Sequence, residues 1–170
     1  MESAFKQLLD QHNRILYKIG RSYTTNQADF DDLYQEMLIQ LWKAYPRFRG
    51  DSKVSTWLYR VALNTALTFT RKTNRNMWFQ PIDAAAPVVD ESDQLKAEAT
   101  EQQQQINLMY RCINQLAKDD RAIILLHLEG KSYEEMAEII GIGKSNLGVK
   151  LMRLKKRLAK MMGEMQYDNV

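Results

Sequence analysis

Cysteine occurs once in these 170 residues, histidine twice, proline three times and glycine seven times. A single thiol, Cys112, excludes an internal disulfide and a cysteine-rich zinc centre. His12 and His127 are too few to supply the missing ligands, so neither a metal nor a cofactor is expected. Sparing use of thiols fits a reducing, cytoplasmic compartment. Long apolar runs are missing as well: the longest candidate, residues 122–128, is interrupted by His127 and falls far below the ~20 residues of a membrane span. Met1-Glu2-Ser3-Ala4 lacks the basic start and apolar core of a signal peptide, so no direct membrane insertion is expected. A phosphate-cradling glycine loop and a His/Cys dyad are also lacking, which turns the reading away from enzymes.

With 45% apolar and 26% charged residues, the composition is that of a folded chain, and the length suits one medium domain or two small ones. The net charge of +3 hides a sharp partition. Residues 1–41 carry −2, whereas residues 42–80 carry +7 from Lys43, Arg47, Arg49, Lys53, Arg60, Arg71, Lys72 and Arg75 against Asp51. Residues 81–105 carry −5, residues 106–140 carry −2 and residues 141–170 carry +5. Two basic blocks separated by an acidic one point to two polyanion-binding surfaces on a tether, although charge alone also fits solvated helix faces.

Apolar spacing is helical. Phe5, Leu8, Leu9, His12, Ile15, Leu16 and Ile19 predict an amphipathic helix over residues 4–22. Asn26 is placed to cap a second, with Phe30, Leu33, Tyr34, Met37, Leu41, Trp42 and Tyr45 on one side. Pro46 should push Tyr45 out of helical angles and stop it. Ser52 is the expected cap of a third helix, whose stripe is Val54, Trp57, Leu58, Val61, Ala62, Thr65 and Phe69; Tyr59 is less constrained. Pro81, Pro87 and Asp90-Glu91-Ser92-Asp93 mark a linker, and periodicity resumes at Ile106, Met109, Ile113 and Leu116. A helix over about 119–128 should end at Gly130. The expected fold is all-α: two small helical domains, 1–80 and 106–170, joined by a flexible acidic linker over 81–105.

Ser132-Tyr133-Glu134-Glu135 is a capping box, and Gly141 sits where a helix-turn-helix bends. The following helix, about 144–161, turns Leu147, Leu151, Leu154 and Leu158 to the core, and residues 141–162 hold seven cations and no carboxylate. Such a helix favours duplex DNA. Ser145 and Asn146 are the candidate base readers, with Lys144, Val149, Lys150, Arg153, Lys156 and Arg157 around them. For Asn146 a local capping role stays open, as does a solvated face for the later cations. Gly143 and Gly148 weaken the helix by roughly 1 kcal/mol each, so it is expected to start late or bend, with Gly148 open to the DNA backbone.

Residues 31–42, DDLYQEMLIQLW, followed by Phe48-Arg49-Gly50-Asp51-Ser52 and Thr56-Trp57-Leu58-Tyr59-Arg60-Val61-Ala62-Leu63-Asn64, closely resemble region 2 of extracytoplasmic-function (ECF) sigma factors. Residues 128–138, LEGKSYEEMAE, with the next helix are similar to their region 4. The resemblance covers nearly the whole chain outside the linker. It implies a bacterial initiation factor that binds core RNA polymerase and directs it to promoter DNA. By that resemblance Asp31, Asp32, Gln35 and Glu36 dock on the clamp coiled coil of the largest subunit, and the second domain meets the flap of the second-largest. Phe48, Arg49, Gly50, Lys53, Arg60, Asn64, Arg71 and Lys72 read and hold the melted −10 element, while the helix-turn-helix reads the −35 element. Sequestration by an anti-sigma factor is common in the family.

Physical chemistry is consistent with those roles. A strand trapped in melted DNA loses stacking, and an aromatic ring restores about 1–3 kcal/mol per base. Phe48 offers such a wall, Gly50 close approach and Asn64 hydrogen bonds; Phe48 in the core remains the alternative. Twenty-five linker residues reach roughly 80 Å extended, enough for two elements about 70 Å apart. Two other readings fit less of the chain. A stand-alone helix-turn-helix regulator leaves the 31–64 constellation unexplained. A nucleic-acid enzyme with a metal held on Asp31, Asp32 and Glu36 lacks a third or fourth ligand nearby.

Overall fold

The computed structural model describes residues 1–77 and 100–167, which form two compact units, one in each stretch. Among the described residues every regular element is helical. The first unit holds α1 (Glu2–Tyr23), α2 (Gln27–Ala44), a 3-10 turn (Tyr45–Arg47) and α3 (Val54–Met77). The second holds α4 (Glu101–Asn114), α5 (Lys118–Leu128), α6 (Tyr133–Ile140) and α7 (Lys144–Tyr167). Most of the acidic tether lies outside the described residues, but its last five, 101–105, are already helical and open α4.

In the first unit each helix packs on the other two. Leu16 and Ile19 of α1, Leu33, Met37 and Leu41 of α2, and Leu58 and Ala62 of α3 are buried together. Each large apolar side chain so buried is worth about 1.5–3 kcal/mol, which holds a three-helix unit of this size. Asn26 caps α2 as its sequence position implies: its side chain accepts the Asp29 N–H at 2.8 Å and donates to the Asp29 carboxylate at 2.7 Å.

Three local expectations need correction. Tyr45 keeps helical angles (φ −55°, ψ −43°) and its N–H still reaches Leu41. Helix α2 does stop before Pro46, at Ala44; Pro46 falls in the first turn of a 3-10 helix, where no N–H is required of it, so the chain tightens into that turn with Tyr45 still helical. Lys53, not Ser52, holds the cap position of α3, since its carbonyl accepts the Trp57 N–H at 3.1 Å. Tyr59 is only 2% exposed and belongs to the core.

In the second unit α7 lies against α4, α5 and α6. Helix α5 ends at Gly130 (φ +71°) with paired bonds from Gly130 N–H to His127 O and Lys131 N–H to Leu126 O, the reversal that a left-handed residue permits. Gly141 (φ +82°) ends α6 with a bond from its N–H to Ala137 O and sets the bend into α7. The expected late start of α7 is not seen: the Gly143 carbonyl accepts the Leu147 N–H at 2.9 Å, so the helix begins at once and continues to Tyr167.

Candidate nucleic-acid and protein-docking surfaces

Helix α2 turns Leu33, Met37 and Leu41 inward and leaves a second stripe outside. Asp32, Gln35, Ile39 and Trp42 follow at steps of three, four and three, so they share that outer side. Asp31, Asp32 and Gln35 are exposed and Glu36 is half-buried. Gln27 donates to Asp31 and Gln40 to Glu36, each at 2.8 Å, which fixes two of the four carboxylate or amide groups in direction. Ile39 is 46% exposed and Trp42 40%. Trp42 lies at the edge of the apolar side of α2; it rests edge-on against Phe5 at 5.0 Å and shows its remaining surface to solvent. Ile39 escaped the sequence reading altogether, although its spacing from Asp32 and Gln35 was the available signal. The outcome is a polar first half and an apolar second half on one helix face.

Beyond the 3-10 turn, the Phe48 N–H donates to the Tyr45 carbonyl at 3.0 Å, and the Phe48 ring lies on Trp57 with centroids 4.8 Å apart and planes inclined by 31°. Trp57 is itself buried and also meets Tyr45, at 6.4 Å. Phe48 is half-buried: one face is committed to Trp57 and the ring is not swallowed by the core. Arg49, Gly50 and Lys53 are exposed beside it, with Gly50 at φ +80°. On α3, Arg60 is half-buried and Asn64, Arg71 and Lys72 are exposed. Arg60, Asn64, Thr68 and Arg71 recur at helical spacing, so α3 carries one polar, basic stripe. Thr68 donates its hydroxyl to the Asn64 backbone carbonyl at 2.9 Å, one turn back along that stripe.

In the second unit, Ser132 Oγ accepts the Glu135 N–H at 3.1 Å while the Glu135 carboxylate accepts the Ser132 N–H at 3.0 Å, which completes the capping box. Leu147, Leu151 and Leu154 are buried; Ser145, Asn146, Val149, Lys150, Arg153, Lys156 and Arg157 are exposed. Two of the α7 cations are paired with carboxylates of other helices. Lys144 bonds Glu134 at 2.8 Å and Lys150 approaches Asp120 at 3.8 Å. Lys144 holds the Glu134 carboxyl below its ordinary range, chiefly through that hydrogen bond. Sequence spacing hid both pairs, because each joins different helices. Gly148 is half-buried and faces α6: a Cβ there would stand 3.7 Å from the Tyr133 ring. At the far end of the unit an open groove of about 440 Å³ is lined by Ile106, Met109 and Met162, with Glu101, Gln102 and Gln105 along it.

Among the described residues no group of three or more His, Cys, Asp or Glu side chains is placed to hold a metal, and no helix is long and apolar enough to cross a membrane.

Comparison with known proteins follows the same division. Residues 8–76 match the family model for Sigma-70 region 2, and residues 106–158 match that for Sigma-70, region 4. The ECF RNA polymerase sigma factor SigM of Mycobacterium tuberculosis is 26% identical over 161 residues, covering 94% of this chain and 78% of its own. The ECF RNA polymerase sigma-E factor of Escherichia coli is 29% identical over 164 residues, covering 92% and 85%. Among solved structures, the sigma factor RpoE bound to the anti-sigma factor NepR from Bartonella quintana aligns with a TM-score of 0.69 at 21% identity, over 94% of this chain and 97% of that one.

Proposed function

The chain belongs to the ECF subfamily of RNA polymerase sigma factors, and from that premise we propose how its two units divide the work of starting transcription at a promoter. The first unit docks on the clamp coiled coil of the polymerase's largest subunit through Asp31, Asp32, Gln35 and Glu36. Carboxylates and amides complement a basic partner surface, and the exposed Ile39 and Trp42 add apolar contact on the second half of that face. The same unit captures the opened −10 strand: Phe48 stacks with a base, Asn64 bonds a flipped base edge, and Arg49, Lys53, Arg60, Arg71 and Lys72 hold phosphates. Gly50 lets the backbone come close.

The second unit places α7 in the major groove of the −35 element. Ser145, Asn146 and Val149 meet base edges; Lys144, Lys150, Arg153, Lys156 and Arg157 meet phosphates. The groove between α4 and α7 suits the flap of the second-largest subunit. Its exposed docking faces also suit an anti-sigma factor, as in the NepR complex of the Bartonella relative. The chain works in the cytoplasm, where polymerase and promoter are, and its own residues bind and separate strands without making or breaking a covalent bond.

One observation carries the reading: an aromatic wall braced by a buried tryptophan in a region 2 match stands in the same chain as a basic helix-turn-helix in a region 4 match. A stand-alone regulator needs only the second. Binding of labelled promoter duplex, measured with the chain alone and with core polymerase added, tests the difference. Tight specific binding only with polymerase is expected; equal specific binding without it would favour the regulator.

A further inference from the structure

Two adjoining apolar side chains lie bare in the middle of a basic helix face, where an apolar group on a polyanionic ligand would cover them. Helix α7 presents this arrangement. Its core side is already complete with Leu147, Leu151 and Leu154, yet Val149 and Met152 stand 45% and 53% exposed on the opposite side. Three residues apart, they are neighbours on one face, with Ser145 one turn before Val149 and Lys156 one turn beyond Met152. Seven cations and no carboxylate lie between residues 141 and 162, so a polyanion complements the surroundings of this patch and a second copy of the same face is repelled. Gly148, one turn before Met152, adds no side chain of its own to this region of the helix.

In the major groove almost every base-edge group is a hydrogen-bond donor or acceptor. The exception is the C5-methyl of thymine. Resting on the reading of α7 as the reader of the upstream promoter element, we propose that Val149 and Met152 select thymine at one or two positions of that element by contact with its methyl group. Ser145 and Asn146 then answer the polar edges of neighbouring pairs, and the flanking cations fix the register on phosphates. Met152 joins the reader set on its exposure alone; its long, flexible thioether can follow a base edge where a branched side chain could not.

Deoxyuridine isolates the methyl group, because it keeps thymine's pairing groups and the phosphates. The experiment uses holoenzyme, assembled from core polymerase and the full chain, on a promoter it has been shown to start. Each thymine of the upstream element is replaced in turn, and promoter affinity is measured. At one or two positions the wild-type holoenzyme should lose about fourfold, the factor that matches one buried methyl. Val149→Ala or Met152→Ala should lose a similar factor on the thymine template and become indifferent to deoxyuridine at the corresponding position. Val149→Thr, which retains a γ-methyl, should keep the discrimination. Core-polymerase binding should be the same in all of them. Indifference of the wild type to every replacement, an upstream element without thymine, or unchanged discrimination in the alanine variants would overturn the proposal. Loss of polymerase binding by those variants would also overturn it, assigning the patch to a protein contact. Failure to start at any promoter is read before any thymine is replaced, and it removes the sigma reading together with the proposal.

Discussion

Phe48 lies on Trp57 with ring centroids 4.8 Å apart, and Trp57 is buried while Phe48 is only half covered. The loop ring is therefore aimed by a core residue. Removing the brace and removing the wall should have separable effects. Trp57→Ala should cost about 3–5 kcal/mol of stability, read by thermal or chemical unfolding. Phe48→Ala should cost far less stability yet reduce promoter opening several-fold by permanganate footprinting, with Asn64→Ala behaving likewise. Core-polymerase binding should survive in the latter two. Loss of polymerase binding by Asn64→Ala would instead assign that residue to folding or docking.

The outer stripe of α2 makes a second prediction. Asp32→Lys should weaken core-polymerase binding by about tenfold or more, because a like charge replaces a complementary one. Ile39→Ala should weaken it through lost apolar contact with little change in salt dependence. Fluorescence anisotropy of labelled chain against core polymerase at two salt concentrations measures both. Unchanged affinity in Asp32→Lys would remove it from the docking face.

Two glycines give opposite expectations for the same change. A Cβ on Gly20 would stand 2.6 Å from the Phe30 ring, which is itself packed between Tyr17 and Tyr34. Gly20→Ala should destabilise by about 1–2 kcal/mol as that aromatic row shifts. At Gly148 the nearest atom, on Tyr133, is 3.7 Å away, an ordinary contact. Gly148→Ala should stabilise by about 0.5–1 kcal/mol through helix propensity. Urea unfolding of the two variants checks the sign of each.

The Lys144–Glu134 pair, at 2.8 Å, occupies a cation that the proposed function assigns to DNA and sets a carboxylate beside it. Glu134→Gln should raise promoter affinity of the holoenzyme by about threefold at low salt. The sign with pH follows from the lowered carboxyl: Glu134 stays ionised and paired at neutral pH, and the pair opens only as pH falls through that lowered value. Wild type and variant should thus differ fully at pH 7 and converge in acid. No difference at pH 7 would mean that Lys144 exchanges partners at no cost.

What could be read ahead of the structure was local. Asn26, Ser132, Gly130 and Gly141 act within a few residues of themselves, so their caps and reversals follow from neighbours in the chain. The leucines of α7 declare its core side in the same way. What was missed depends on contacts between helices or on burial that periodicity does not resolve. Tyr59 and Trp42 lie near the edges of their stripes, and packing decided that one went in and the other stayed partly out. Pro46 does end α2, but the helical angles of Tyr45 belong to the 3-10 turn that follows, which the rule for proline in an ideal α-helix does not foresee. The ion pair of Lys144 with Glu134 spans ten residues and two helices, so no spacing rule announces it. At the candidate surfaces the residue types could be chosen from the chain; which of them stand exposed, as Ile39 and Met152 do, could not.

Promoter-directed initiation is the claim on which the rest depends, and transcription with purified core polymerase on a library of genomic fragments measures it directly. Adding the chain should produce discrete new start sites that share an upstream and a −10 element, and Asp32→Lys should abolish them. Transcripts no different from those of core polymerase alone would contradict the account.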